Sequence, residues 1–86
     1  MASYNVEFSA NVRKDFLKFP NADAGKILGK IHDLEKDPRP PGSKKLKGEE
    51  LYRIRVGVYR VVYEIEDERL VVFVVRVKHR KEAYRH

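Results

Sequence analysis

Leu51-Tyr52-Arg53-Ile54-Arg55-Val56-Gly57-Val58-Tyr59-Arg60-Val61-Val62-Tyr63 decides the fold of this chain. Apolar and polar residues alternate on both sides of Gly57, the period of a strand buried on one face only, and the glycine provides a turn between two such strands. In the first strand Tyr52, Ile54 and Val56 point one way, while Arg53 and Arg55 point the other. In the second, Tyr59, Val61, Tyr63 and Ile65 form the apolar set and Arg60 lies opposite them. A third run from Leu70 to Lys78 follows the charged turn Asp67-Glu68-Arg69 and sets Val71, Phe73, Val75 and Val77 against Arg76 and Lys78. The three runs read as an antiparallel meander.

Working outward, residues 37–50 hold three prolines, two glycines and one clearly apolar side chain, Leu46, which is the composition of a loop. Upstream of it, Ala24, Ile27, Leu28, Ile31 and Leu34 form a helical stripe in a segment that begins near Asn21 or Asp23 and runs to about Asp37. A shorter helix precedes it, with Ser9 as its cap, Val12, Phe16 and Phe19 on its inner face, and Pro20 as its stop. Ser3 to Phe8 alternates as a strand, and residues 81–86 form a short terminal helix or tail. The expected architecture is α+β, in the order β-α-α-β-β-β. A small, mainly antiparallel sheet carries a helical hairpin on one face, and its other face is at least partly open. Eighty-six residues provide for a single domain spanning 1–86.

The formal net charge of +6 is unevenly spread. Through Asp37, six basic residues balance six acids; beyond it, thirteen Lys and Arg face seven acids. A neutral half joined to a basic half suggests a scaffold that supports an anion site. No apolar run is long enough to span a bilayer, there is no cysteine, and the N-terminal residues lack the order of a signal peptide, so no membrane partner and a cytoplasmic location are expected.

Arg53, Arg55 and Arg60 converge across the hairpin, because cross-strand neighbours lie about 5–8 Å apart. One such arginine is an ordinary solubilising side chain. Three together, with almost no acid on their face before Glu64, suit a phosphate backbone, whose geometry matches forked planar donors. The histidines lack carboxylate or cysteine company, so no metal and no cofactor is expected. No nucleophile motif, glycine-rich phosphate loop or carboxylate pair is present. One chemistry remains open to an arginine-rich site, namely RNA cleavage by its own 2'-hydroxyl, in which the protein orients the substrate and stabilises charge on the phosphorane.

Three stretches carry a resemblance: Lys45-Leu46-Lys47-Gly48, the hairpin quoted above, and Val77-Lys78-His79-Arg80-Lys81-Glu82-Ala83-Tyr84. Together they resemble the RelE branch of the RelE/ParE toxin superfamily along nearly the whole chain. The resemblance implies a ribosome-dependent mRNA endonuclease and a RelB-like antitoxin that wraps the toxin and masks its basic face. Carried over by position, it implies catalytic roles for Arg53, Arg55, Arg60, Arg80 and Tyr84. Lys45, Lys47, Arg76, Lys78 and His79 are the expected RNA-binding set. Arginines stand here where some relatives have lysines, and they stay protonated at any ordinary pH, so their role is electrostatic. Glu49, Glu50 and His79 are the candidates for a general base. Val58 departs from the polar residue common at that turn position. Two other readings are a ParE-like inhibitor of DNA gyrase and a nucleic-acid-binding module without catalysis.

Overall fold

The computed structural model of the protein describes residues 3–83. Its elements are β1 (Asn5–Phe8), α1 (Ala10–Leu17), α2 (Asn21–Asp33), β2 (Lys44–Lys45), β3 (Tyr52–Val56), β4 (Tyr59–Glu66), β5 (Val71–His79) and α3 (Arg80–Ala83). The strands form one sheet in the order β1-β5-β4-β3-β2, antiparallel except where β1 runs parallel to β5. This is the α+β arrangement expected, with one addition. The loop before the hairpin contributes β2, which pairs Lys44 with Arg53 and Lys45 with Tyr52.

Gly57 and Val58 form a two-residue turn between β3 and β4, and only the glycine has a positive φ, at 59°. A positive φ at the first central position matches the twist of the flanking strands, and a side chain there would be strained. Val58, which had no sequence-level explanation, accepts the Arg80 N–H at 2.7 Å and so anchors the start of α3.

The core lies between α1, α2 and one face of the sheet. Ile27, Ile31 and Leu34 from α2 and its C-terminal turn meet Ile54, Val61, Tyr63, Val72, Val74 and Val77, with Val12 from α1. Leu28, expected in the same stripe, is 45% exposed. Ile31→Ala is therefore expected to destabilise the protein by about 2–4 kcal/mol in urea unfolding, and Leu28→Ala by less than about 1 kcal/mol. α2 ends at Asp33, four residues earlier than expected. Its C-terminal turn tightens to i→i−3 bonds from Leu34, Glu35 and Lys36, and Pro38 disfavours helix at Asp37.

A β-bulge corrects the expected core of β5. Val62 pairs with Arg76 and Tyr63 with Val74, which leaves Val75 as the extra residue. One inserted residue turns every side chain before it to the other face. Val72 and Val74 therefore join Val77 in the core, while Phe73 stands opposite Glu64 on the helix-free face. Ser9 holds the bulge. It occupies the cap position of α1, but its hydroxyl makes no capping bond and donates to the Val75 carbonyl at 2.6 Å.

Tyr63 is fully buried and donates to the Pro38 carbonyl at 2.7 Å. Burial pushes its ionisation up to about 12. The folded state thus holds this proton more tightly than the unfolded chain. The stability it contributes is intact below the ordinary tyrosine value of about 10 and is lost as pH rises toward the folded value. The stability difference between the wild type and Tyr63→Phe is expected to be constant from pH 7 to 9 and to shrink above pH 10, as read by chemical denaturation at each pH.

Candidate nucleic-acid interface

The register of β3, β4 and β5 places cations in two rows across the helix-free face. Arg55 pairs with Arg60, and Arg60 pairs with Lys78, which gives a line of three positive charges on adjacent strands. Cβ atoms of directly opposed residues lie about 4.5–5.5 Å apart, and like charges so placed destabilise the sheet. Arg55 is exposed and makes no ion pair among the described residues; Arg60 and Lys78 are half-buried. The second row is Lys44, Arg53, Val62 and Arg76.

Arg53 does not meet solvent as expected. It is 8% exposed, because β2 makes β3 an interior strand and closes its flank. Arg76 belongs to the face but is committed. Its Nε and Nη2 donate to the two carboxylate oxygens of Asp15, each at 3.1 Å. Asp15 is 3% exposed and also accepts the Val77 N–H at 2.9 Å. β1 ends opposite Val74, so the far half of β5 lacks a neighbour on that side, and α1 lays Asp15 along the open edge. The carboxylate stands in for the missing strand's carbonyl and neutralises the arginine beside it.

His79 is not brought to the arginines. It pairs with Tyr59 on the helix-bearing face, where the rings meet edge to face at 5.4 Å, and Phe19 also packs against Tyr59, at 4.6 Å. Its Nδ1 accepts the Lys81 N–H at 3.1 Å. Lys45 is likewise on the Tyr52 side of β2 and reaches Glu50 at 3.4 Å, whereas Lys47 is exposed in the following turn. Arg80 is exposed at the start of α3, held beside the hairpin turn by its bond to Val58. Tyr84 lies outside the described residues. Glu49 and Glu50 are exposed before β3 and belong to neither row.

Sequence reasoning missed Lys44, because residues 37–50 read as loop throughout. The alternation of Lys44-Lys45 against Arg53 would have revealed it once that pair was taken as a strand. Asp15 had a signal too, as a carboxylate set between Val12 and Phe16 on the inward stripe of α1. A third feature is the latch that fixes the loop ahead of β2. Arg39 bonds Asp67 through both Nη atoms at 3.3 and 3.0 Å, and its guanidinium lies 5.2 Å over the Tyr52 ring. The Tyr4 hydroxyl donates to the same carboxylate at 2.6 Å. Arg39, and then Tyr4, hold the Asp67 carboxyl below the usual carboxylate range.

The sheet thus packs a helical hairpin on one face and aligns a row of cations, Arg55, Arg60 and Lys78, on the other. The sequence model of the ParE toxin of the type II toxin-antitoxin system parDE matches residues 6–84. The toxin RelG of Mycobacterium tuberculosis is 34% identical, over 95% of this chain and 97% of its own. The mRNA interferase toxin RelE of Escherichia coli is 28% identical, over 95% and 90% respectively. Among solved structures, the RelBE2 toxin-antitoxin complex of M. tuberculosis contains a chain that superposes with a TM-score of 0.84 at 32% identity, covering 93% of this chain and 94% of that one. The chain belongs to this family of type II toxin-antitoxin toxins, and within the RelE/ParE superfamily it is RelE-like.

Proposed function

We propose that the protein is a ribosome-dependent mRNA endonuclease that cleaves by way of the RNA 2'-hydroxyl. The observation that carries this reading is the line Arg55, Arg60, Lys78 across three strands of the helix-free face. In the reaction the 2'-oxygen attacks the adjacent phosphorus, the bond to the 5'-oxygen breaks, and the products are a 2',3'-cyclic phosphate and a 5'-hydroxyl. The proton lost from the 2'-hydroxyl is balanced by one gained at the leaving oxygen. Negative charge grows on the phosphorane between these events, and fixed guanidinium groups stabilise it most when they are already held in place. Arg60, at the centre of the line, contacts the scissile phosphate; Arg55 and Lys78 flank it; Arg53 supports Arg55 from within the sheet. Arg80 is held at the hairpin end of the line, and Tyr84 offers its ring to a base. Lys47 approaches the RNA from the margin before β3, whereas Lys45, on the helix-bearing side and bonded to Glu50, takes no part in this reading. Arg76, bonded to Asp15, shapes the face more than it binds. His79 faces the other way, so the reading gives it no part as general base.

The proposed partners are the ribosome with its mRNA and a RelB-like antitoxin whose acidic groups cover the row of cations. The named relatives support this, since one is an mRNA interferase and the solved neighbour is a toxin-antitoxin complex. Purified protein added to programmed ribosomes is expected to give discrete mRNA ends within the A-site codon, mapped by primer extension. The matching sequence model carries the ParE name, which favours gyrase inhibition as the second reading. Intact mRNA together with blocked supercoiling would replace the first reading with the second. Growth arrest on expression, relieved by a neighbouring gene product, tests the antitoxin.

A further inference from the structure

We propose that Lys44, with the groove between residues 41–44 and β3, binds the RNA phosphate next to the one that is cut. The inference rests on the endonuclease reading for which phosphate it names, and on independent geometry for the site itself. Lys44 pairs with Arg53, one row along the sheet from the Arg55–Arg60 pair. Two residues of strand advance about 6.6 Å. That step is close to the repeat of an extended nucleotide chain, so a strand whose scissile phosphate rests on the first row brings a neighbouring phosphate to the second.

The two adjacent lysines of β2 differ in what they can still do. Lys45 lies on the helix-bearing side and is tied to Glu50. Lys44 lies on the arginine side, is exposed, and makes no ion pair among the described residues. Beside it runs a groove of about 320 Å³ lined by Pro41, Gly42, Lys44, Arg53, Ile54 and Arg55, with no acidic side chain. Gly42 has a φ of 91°, and the space where its Cβ would stand is open. The backbone there turns without a side chain to obstruct an approaching sugar-phosphate. The Arg39–Asp67 latch holds the residues just ahead of this turn, so the wall of the groove is fixed before RNA arrives.

The test uses an RNA oligonucleotide made uncleavable by 2'-O-methyl groups, with binding measured across a salt series. Lys44→Ala is expected to weaken binding roughly tenfold and to reduce the slope of log K against log salt by about 0.7, the loss of one phosphate contact on a single strand. Lys44→Arg should restore both, and Lys30→Ala, which removes the same charge from an exposed position on α2, should leave the slope unchanged. Neutral methylphosphonate linkages placed in turn on either side of the cut should weaken wild-type binding at one position and cost Lys44→Ala nothing further there. A slope unchanged in Lys44→Ala, or a linkage penalty that persists in it, overturns the inference while cleavage on ribosomes still stands. Intact mRNA on ribosomes with the slope difference preserved instead removes the endonuclease reading and leaves Lys44 as a phosphate ligand. A wild type that does not bind the oligonucleotide removes both.

Discussion

Arg60→Ala is expected to lower single-turnover mRNA cleavage on programmed ribosomes by about 10²–10³-fold, the range for removing one preorganised group that stabilises charge in a transition state. The effect should fall on the rate of the bound complex more than on its half-saturation, because in the proposed mechanism Arg55 and Lys78, which flank Arg60 across the strands, still hold the RNA. Arg55→Ala removes a flanking cation, and its larger consequence is weaker binding. The fold should survive the loss of Arg60, since the adjacent Tyr59 and Val61 carry the packing of β4 from the other face. An Arg60→Ala protein with native thermal stability and undiminished cleavage would remove Arg60 from the mechanism.

A loss of stability as large as that from a core truncation is expected from Asp15. This carboxylate is almost fully buried, and it satisfies both the Arg76 guanidinium and the Val77 N–H. Asp15→Ala leaves a strand-edge donor without an acceptor and a cation without its counter-charge. Breaking a buried pair costs about 3–5 kcal/mol, and because Arg76 is 36% exposed the lower end applies, about 3 kcal/mol. For a domain of this size each kcal/mol lowers the melting temperature by about 4–8 °C, so calorimetry should show a fall of more than about 10 °C. Asp15→Asn keeps an acceptor for Val77 and should lose about half as much. Leu17→Ala, two residues along the same helix and 86% exposed, serves as the control with a change within about 0.5 kcal/mol. Equal melting temperatures for Asp15→Ala and Leu17→Ala would show that the edge needs no acceptor.

Much of this architecture follows from local patterns. The alternation around Gly57 fixes β3 and β4 and assigns Arg55 and Arg60 to one face, because strand period alone decides which side chains share a side. The stripe of Ile27, Ile31 and Leu34 locates α2 for the same kind of reason. Features that depend on chain segments meeting across the fold are not legible in this way. The bulge at Val75 reverses the faces of Phe73 and Val74, and its supports, Ser9 above all, come from more than sixty residues away. β2 is only two residues long and exists because β3 offers it a partner. Its absence from the sequence reading made Arg53 look solvent-facing and hid Lys44. His79 was misplaced by a simpler omission: the alternation that put Lys78 with the arginines was not carried one residue further.

At one of the two margins of the sheet, β2 consists of two lysines, Lys44 and Lys45, and nothing more. A margin this short and this strongly charged is a poor template for a second copy of the sheet, and it repels any copy that tries. At high concentration the protein should therefore resist stacking into fibrils from this side, and alanines at both positions would make turbidity and dye-binding assays report the loss of that protection.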